Sequence, residues 1–243
     1  MLAAAGLAVA IAVVLLWRAA GSSDPVSQDE ALAIFRSAQG DAAATGGPAP
    51  GVYRYTASGS ETGGVGPFAV TRSLPGQARL VVTSRPDGWE AELAYSRQHI
   101  EAMRVARRGG ELRVTFRRTK VTFAGFGRDD RRAVEPPSLL LPAHPSPGTR
   151  WRETYRTGDL NVRADNRVLR NERVRVGDRD IDVVVLSSHS DTDGPHPGTR
   201  DETVWWAPSV AIPVRWDVDM DIGGTFAFRA RSSVRLTSAV PEV

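Results

Sequence analysis

The sequence predicts a mainly β protein: a strongly curved antiparallel meander sheet or an incompletely closed β-barrel with one covering helix, preceded by an apolar N-terminal helix. From residue 51 onward apolar and polar side chains alternate with a period of two, which is typical of strands with one buried face. Segments rich in Val, Thr, Tyr, Phe and Trp are separated by Gly, Pro, Asp and Asn, the residues of tight turns. The 243 residues contain no cysteine, so a packed core must stabilise this fold without disulfides.

The N-terminal segment, residues 1–23, is predicted to be a membrane anchor or a signal. Leu2–Trp17 is a run of sixteen apolar or small residues, followed by Arg18. Such a run makes about 24 Å of helix, and the small residues after Arg18 can complete a span of the bilayer. The alternative is a cleaved secretory signal with Ala19 and Gly21 before the cut. Both predict export: a single-pass membrane protein with its β domain outside the cytoplasm, or a secreted protein.

Residues 24–50 are predicted to hold a short helix and an Ala/Gly/Pro-rich linker. Ser27 can cap the helix, and acidic residues follow in its first turn. Leu32 and Phe35 fall three residues apart on one side, and Gly40 ends the helix. This helix is the expected cover for the apolar face of the sheet.

Residues 51–238 are predicted to form one antiparallel β domain, and residues 239–243 a tail. The predicted strands are 51–58, 67–73, 77–84, 89–96, 99–107, 111–123, 150–157, 161–176, 180–188, 202–207, 212–222 and 226–236. The segment from His99 also satisfies helical spacing, so a basic helix is an alternative there. The turn at Gly109-Gly110, with a strand after it, favours the strand.

The last predicted hairpin has a specific register. Its two strands alternate apolar residues with aspartates or arginines, so a slip of one residue would place apolar and charged rows on the same face. A three-residue loop from Gly223 avoids this conflict and sets the charge pairs on the solvated face. The register pairs Ile222 with Phe226, Asp219 with Arg229, and Asp217 with Arg231.

Two stretches resemble a known family. Pro147–Trp151 is a proline-glycine entry into a tryptophan strand, and Glu202–Pro208 followed by Val210–Val214 ends a strand in Trp-x-Pro before x-Pro-Val. This arrangement resembles exported bacterial proteins of the lipoprotein-carrier-like (LolA/LolB-like) superfamily and its relatives, over residues 51–238.

The resemblance implies an incompletely closed antiparallel barrel with helical cover and an apolar interior that holds acyl chains or lipoproteins. An apolar N-terminal segment without a lipidation cysteine departs from the carriers and argues against a freely diffusing shuttle. The expected ligand, a lipid or an acylated partner, would contact the apolar faces of the terminal strands. The predicted ligand-binding residues are Trp205, Trp206, Trp216, Met220, Phe226 and Phe228.

An arginine-rich stretch is the second candidate surface. Between residues 104 and 132 there are ten basic residues against three acids. Outside the cytoplasm such a patch could contact anionic lipid headgroups or an anionic envelope polymer, although a solvated arginine face explains it equally well. No nucleic-acid-binding motif accompanies the charge, so no nucleic-acid partner is expected. The predicted contact residues are Arg104, Arg107, Arg108, Arg113, Arg117, Arg118 and Lys120.

Two groups of polar residues contain possible metal ligands, and neither group predicts a metal site. The segment from His189 to His196 is rich in possible ligands, but a calcium loop aligned on Gly194 has Arg200 where a bidentate glutamate is needed. A polar turn between strands is favoured there. Asp217, Asp219 and Asp221 form a carboxylate row on one strand, and the arginines of the next strand are expected to neutralise it.

Catalytic motifs are scarce, so we expect a non-catalytic protein without a cofactor. The sequence has no Gly-x-Ser-x-Gly elbow, and no Ser-x-x-Lys motif involves Lys120, its single lysine. Glu153 and Glu202 lie near the tryptophan strands and could form the carboxylate pair of a glycosidase, but the sequence does not define their separation.

The leading hypothesis is therefore an exported, non-catalytic domain at the outer face of the membrane that binds an apolar ligand in its curved sheet. The alternatives are an envelope interaction module with a solid core and, with less support, an envelope hydrolase. A continuous apolar cavity of about 300 Å³ or more would select the ligand-binding hypothesis. An interior without a cavity would favour the interaction module.

Overall fold

The computed structural model describes residues 23–40, 47–123 and 126–243, which form one helix and a 13-stranded antiparallel sheet. The predicted apolar N-terminal helix lies outside these residues. The helix is α1 (Gln28–Ala38). The strands are β1 (Gly51–Val65), β2 (Phe68–Ser73), β3 (Gln77–Arg85), β4 (Gly88–Ser96), β5 (His99–Arg108), β6 (Glu111–Phe123), β7 (Phe126–Leu141), β8 (Arg150–Thr157), β9 (Leu160–Val176), β10 (Arg179–Asp193), β11 (Gly198–Ala207), β12 (Ile212–Ile222) and β13 (Phe226–Leu236).

The sheet closes into a barrel because its first long strand pairs with its last. β1 and β13 run antiparallel from Tyr55 opposite Leu236 to Val65 opposite Phe226. On its other side β1 pairs with β3 through its first half and with β2 through its second half. Twelve strands therefore surround the core, with β2 added beside the end of β1. The predicted mainly β, barrel-like fold is confirmed.

The helix forms where it was predicted, but it covers the outside of the barrel. The Ser27 hydroxyl accepts a hydrogen bond from the Glu30 amide at 3.2 Å, the expected N-cap. Phe35 is buried in a small cluster with Val52 and Val81, which alternate with the inward-facing residues of β1 and β3. The expectation that this helix would cover the apolar interior face is wrong, because neighbouring strands close that face themselves.

Three predictions about the strands have different outcomes in the structure. The segment from His99 is a strand, as favoured over the basic helix. β7 was not predicted, because its charged start and its Pro136-Pro137 pair lack the usual strand composition. β10 continues to Asp193 and β11 begins at Gly198, so most of the expected polar turn after residue 188 is strand.

The last hairpin has the predicted faces but a different register. Ile222 lies opposite Phe228 and Asp219 opposite Arg231, two residues from the predicted pairing. The apolar row is buried and the charged row faces outward, because a shift of two residues preserves the faces. The predicted three-residue loop is wrong: pairing of β13 with β12 begins at Phe228, and Phe226 is paired only on its other side, with Val65 of β1.

The seam between β7 and β8 is the least paired junction around the barrel. Only two residue pairs join these strands, Val134 with Thr157 and Glu135 with Arg156. Toward the other end of β8, side chains replace the backbone ladder: the Trp151 indole donates to the Leu139 carbonyl at 3.0 Å. Backbone pairing is therefore sparse at this seam, and side-chain hydrogen bonds supplement it.

Substitution of Phe228 tests the assignment of the inner face. Its side chain is fully buried, so Phe228→Ala should lower the free energy of unfolding by about 3–5 kcal/mol. Phe68→Ala is the matched control, because this ring is 75% exposed and its loss should change stability by no more than about 0.5 kcal/mol. Urea unfolding followed by circular dichroism measures both, and equal effects would contradict the inward orientation.

Candidate functional site

A chain of buried charged side chains crosses the barrel interior. The members come from four strands and alternate in charge. We name this set the interior ion network: Arg72, Glu61, His99, Glu101, Arg200 and Glu202.

One end of the network joins β1 and β2 to β6. Arg72 donates from Nε to Glu61 at 2.9 Å and from Nη1 to the Thr122 carbonyl at 2.7 Å. Its guanidinium carbon lies 3.8 Å from the centre of the Phe123 ring. The Arg72 and Glu61 side chains are 1% and 0% exposed, so this ion pair is shielded from water and salt.

His99 forms the middle of the network. Its Nδ1 contacts Glu61, and its Nε2 lies 3.4 Å from Glu101. The ring stacks on Tyr95 at 4.6 Å between centroids and meets the edge of Phe228 at 5.4 Å. Burial alone would lower the pKa of His99, but the carboxylates of Glu61 and Glu101 raise it to about 9. The imidazolium is therefore the stable form at neutral pH.

The other end of the network joins β5 to β11 and β12. Arg200 binds both carboxylate oxygens of Glu101, at 3.0 and 2.8 Å, and lies 2.8 Å from Glu202. Glu202 also accepts a hydrogen bond from the Trp216 indole at 2.9 Å. Burial raises the pKa of Glu101, but Arg200 and His99 outweigh it and hold that pKa well below its usual range. Glu101 and Arg200, whose pKa is raised by the two glutamates despite its burial, therefore stay ionised over the physiological range.

Sequence analysis did not identify the interior ion network. In the sequence, His99 and Glu101 precede Met103 and Val105 at every second position, so they share the inward face with apolar residues. The available signal was the spacing: charged residues continue the every-second-residue pattern of the apolar residues. Arg200 and Glu202, which precede Val204, show the same spacing. Their partners come from distant strands, so only the closed barrel shows that the charges compensate one another.

Two small cavities lie beside the network. One, of about 70 Å³, has mostly apolar walls, which include Leu80, Trp89, Leu93, Met103, Trp206 and Trp216. The other, of about 90 Å³, lies behind the seam and is lined by residues such as Ser138, Trp151, Tyr155, Ala164 and Ser188. Arg117, Leu140, Leu186, Glu202 and Val204 line both cavities. Neither cavity reaches the 300 Å³ named above as the mark of a preformed ligand site.

The six residues predicted to bind a ligand all belong to the core. Trp206 and Trp216 line the apolar cavity. Met220, Phe226 and Phe228 pack nearer the other end, where Phe226 lies 6.2 Å from Phe123. Trp205 lies apart from the cavities; its ring is 4.2 Å from the guanidinium carbon of Arg215, and its indole donates to Glu172. Their contact with a ligand stays a prediction.

The predicted arginine-rich contact surface is largely paired within the protein. Arg104 binds Glu90 at 2.9 Å, Arg113 binds Glu111 at 2.7 Å, and Arg118 binds both Glu92 and Asp129, at 3.0 and 2.8 Å. Arg117 lines the interior cavities, away from the outer face. Arg107 and Arg108 are exposed and Lys120 is half-buried. Binding of an anionic surface by these residues stays a prediction.

Three of the candidate metal ligands, His189, Asp217 and Asp219, line an open groove of about 640 Å³ on the outer face of the barrel. The His189 imidazole is hydrogen-bonded to Asp201 at 2.7 Å, and a neighbouring wall holds Asp217 and Asp219. Each aspartate of the predicted row has a cation beside it: Arg215 for Asp217, Arg231 for Asp219 and Arg229 for Asp221. Among the described residues no three ligand side chains gather as a metal site would need.

The two glutamates considered as a catalytic pair line the same cavity behind the seam. Burial raises the pKa of Glu153, whose carboxylate accepts the Leu139 amide. Glu202 is held by Arg200 and the Trp216 indole. At about 90 Å³ this cavity is well below the roughly 300–1,000 Å³ of ordinary small-molecule sites.

Comparison with known proteins found similarity to solved structures alone. No family model matches the chain, and no curated protein matches it. A solved structure that resembles it is the hypothetical lipoprotein YmcC from Escherichia coli (K12), at 10% identity and a TM-score of 0.36, over 78% of this chain and 86% of that one. Membership in the lipoprotein-carrier-like superfamily stays a prediction. In the described ranges no helix has the length and apolar character needed to span a bilayer.

The charge state of His99 predicts how stability depends on pH. Its pKa is about 9 in the folded protein and near 6.5 in the unfolded chain, so its stabilising effect is complete below pH 6.5 and is lost as the pH rises through 9. The free energy of unfolding should fall over this interval by on the order of 3 kcal/mol. Urea unfolding at a series of pH values measures the decline.

Two variants separate His99 from other titrating groups. His99→Gln should remove most of the decline, whereas His189→Gln should retain it, because the His189 side chain is 48% exposed and its ion pairs are screened. An imidazole titration of the wild-type protein by NMR gives the His99 pKa directly. A value near 6.5 would contradict the buried ion pairing.

Proposed function

We propose that this protein is a non-catalytic, extracytoplasmic binding protein whose barrel admits an apolar ligand through the seam between β7 and β8. The supporting observation is the position of the cavities. The cavity behind the seam and the apolar cavity beyond it share Leu140, Leu186 and Val204 in their walls. A ligand that enters at the seam would therefore meet these three apolar residues, together with Arg117 and Glu202, on its way toward Trp206 and Trp216.

The chemistry of the path favours a narrow apolar chain. Leu80, Leu93 and Met103 supply aliphatic walls, and the tryptophans supply flat ones. Some of the polar groups along the way are already engaged, as in the ion pairs of Arg200 with Glu101 and Glu202, whereas the buried Arg117 Nε and Asn166 Nδ2 have no hydrogen-bond partner. Such a surface binds mainly through burial of apolar area, at about 25 cal/mol per Å².

The size of the cavities requires the seam to widen during binding. Cavities of about 70 and 90 Å³ leave little space for an acyl chain while the barrel is closed. Opening the seam would separate the two residue pairs and break the hydrogen bonds that Leu139 makes with Glu153 and Trp151. Opening also exposes Leu139 and Leu140, which would then contact the ligand.

The location belongs to the same proposal. The apolar run Leu2–Trp17 directs export, either as an anchor or as a signal. An exported protein meets lipids and acylated proteins, which are the ligands that an apolar barrel interior can bind. Extraction of the protein from its native membrane, followed by mass spectrometry of the lipids that co-purify, identifies the class of ligand.

A reversible disulfide across the seam tests the entry route. The chain has no cysteine, so Glu135→Cys with Arg156→Cys introduces one defined pair at directly opposed, exposed positions. The oxidised variant should bind cis-parinaric acid, a fluorescent fatty acid, roughly tenfold more weakly than the reduced variant. Reduction with dithiothreitol should restore binding.

The matched control places the same disulfide in a well-paired hairpin. Arg173→Cys with Asp182→Cys also replaces an exposed arginine–acid pair between opposed residues, here of β9 and β10. Its oxidation should leave binding unchanged. Equal effects of the two disulfides would refute entry at the seam, and failure of the wild-type protein to bind the probe would refute the proposed function.

A cavity-filling variant tests where the ligand lies. Ala91 lines the apolar cavity between Trp89 and Leu93 on β4. Ala91→Leu should occupy much of that cavity and weaken binding of cis-parinaric acid several-fold, with a small cost in stability. Ala69→Leu, on an exposed position of β2, is the control and should bind normally. Unchanged binding in Ala91→Leu would place the ligand elsewhere.

A further inference from the structure

Exposed apolar side chains concentrate at one end of the barrel. Among the residues that the structure describes, the exposed large apolar side chains are Val65, Phe68, Phe126, Val240 and Val243. The first three lie at the turns of two hairpins, β1–β2 and β6–β7, with Phe68 75% and Phe126 67% exposed. We name the end of the barrel formed by these two turns the apolar rim. Val240 and Val243 belong to the tail beside Gly51, at the opposite end of β1.

The two hairpins of the apolar rim are packed against each other. A Cβ atom at Gly63 would lie 2.4 Å from the Phe123 ring, so only glycine permits this approach. Arg72 reinforces the contact by binding Glu61 on one hairpin and the Thr122 carbonyl on the other. Val65, Phe68 and Phe126 therefore project from two hairpins that these contacts hold together, and they lie a few residues beyond the contacts.

The chain enters the barrel at the same end. The Asp24 carbonyl accepts the Arg97 amide at 2.9 Å, and Gln98 binds Asp24 through both its side-chain oxygen and nitrogen, at 3.0 and 2.7 Å. The Gln98 carbonyl in turn accepts the Thr122 amide at 2.9 Å, next to Phe123. The apolar run ends at Trp17, seven residues before Asp24, and seven residues span at most about 25 Å.

We propose that the apolar rim docks on the surface of a lipid bilayer, with Val65, Phe68 and Phe126 inserted among the headgroups. This inference rests on the proposed anchoring of the chain by Leu2–Trp17. An anchor so close to Asp24 keeps this end of the barrel within about 25 Å of the membrane, whereas the tail valines lie at the far end. Aromatic and aliphatic side chains gain free energy on leaving water for the interface.

Two features of the apolar rim favour lipid as its partner. The exposed residues project from two separate turns. The short connection to the anchor also makes the bilayer the surface that these turns meet first. In the docked state the barrel would stand on one end, with its axis out of the membrane plane, because β1 and β6 both run toward the apolar rim.

Site-specific fluorescence in the full chain tests the docking. Three single-cysteine variants, Phe68→Cys, Phe126→Cys and Val240→Cys, are labelled with the environment-sensitive dye NBD, which the cysteine-free chain allows. The full-length proteins are reconstituted into vesicles of phosphatidylethanolamine and phosphatidylglycerol. The labels at 68 and 126 should shift to the blue and be quenched by doxyl-labelled lipid, whereas the label at 240 should stay water-exposed.

The outcomes separate the docking from its rivals. Water-like emission from all three labels, or release of the chain from the vesicles, would overturn the proposal. A blue shift without quenching by lipid, seen in native membranes, would assign the rim to a protein partner and also overturn it. Binding of cis-parinaric acid is measured on the same samples, so loss of ligand binding reports on the proposed function and loss of quenching reports on the rim.

Discussion

Closure of the barrel by β1 and β13 is the constraint on which the other features depend. Eleven residue pairs, from Tyr55 with Leu236 to Val65 with Phe226, join the two ends of the meander. This junction turns an alternating pattern into an inside and an outside, and it removes the two edges of the sheet that would otherwise be open. Because β1 outruns β3, its second half is left for β2, which brings Arg72 to the interior.

The interior ion network follows from that closure and has a cost. Transfer of charged groups into a protein interior is expensive, and paired charges recover the loss only where their geometry is good. Here Glu101 is shared between His99 and Arg200, and Glu61 between His99 and Arg72, so each carboxylate has two cationic neighbours. The network ties β1, β2, β5 and β11 in one arrangement that an apolar core would specify less sharply, since apolar contacts are not directional.

Most of the fold was predictable from local signals, whereas the site was not. The cap at Ser27 and twelve of the strands follow from helix-capping preferences and alternation, which act within a few residues. β7 was missed because its pairing with β6 overrides an unfavourable composition, and the hairpin register was missed because a shift of two residues leaves the alternation of faces unchanged. His99 shows the same limit. Its partners are Glu61 on β1 and Glu101 on β5, and no residue near His99 in the sequence indicates that Glu61 lies beside it.

The order of features along the barrel separates binding from docking. On β5, His99 lies nearest the apolar rim, Glu101 follows, and Met103 lines the apolar cavity. On β11 the same order runs from Arg200 to Trp206, so the network lies between the rim and the cavity on both strands. A ligand that moved straight down from the rim would have to pass buried ion pairs and separate them. Entry from the side, between β7 and β8, would lead instead to the cavity behind the seam, where Arg200 and Glu202 form part of the wall. The arrangement therefore favours a barrel that stands on the membrane through one end and receives its ligand through its wall.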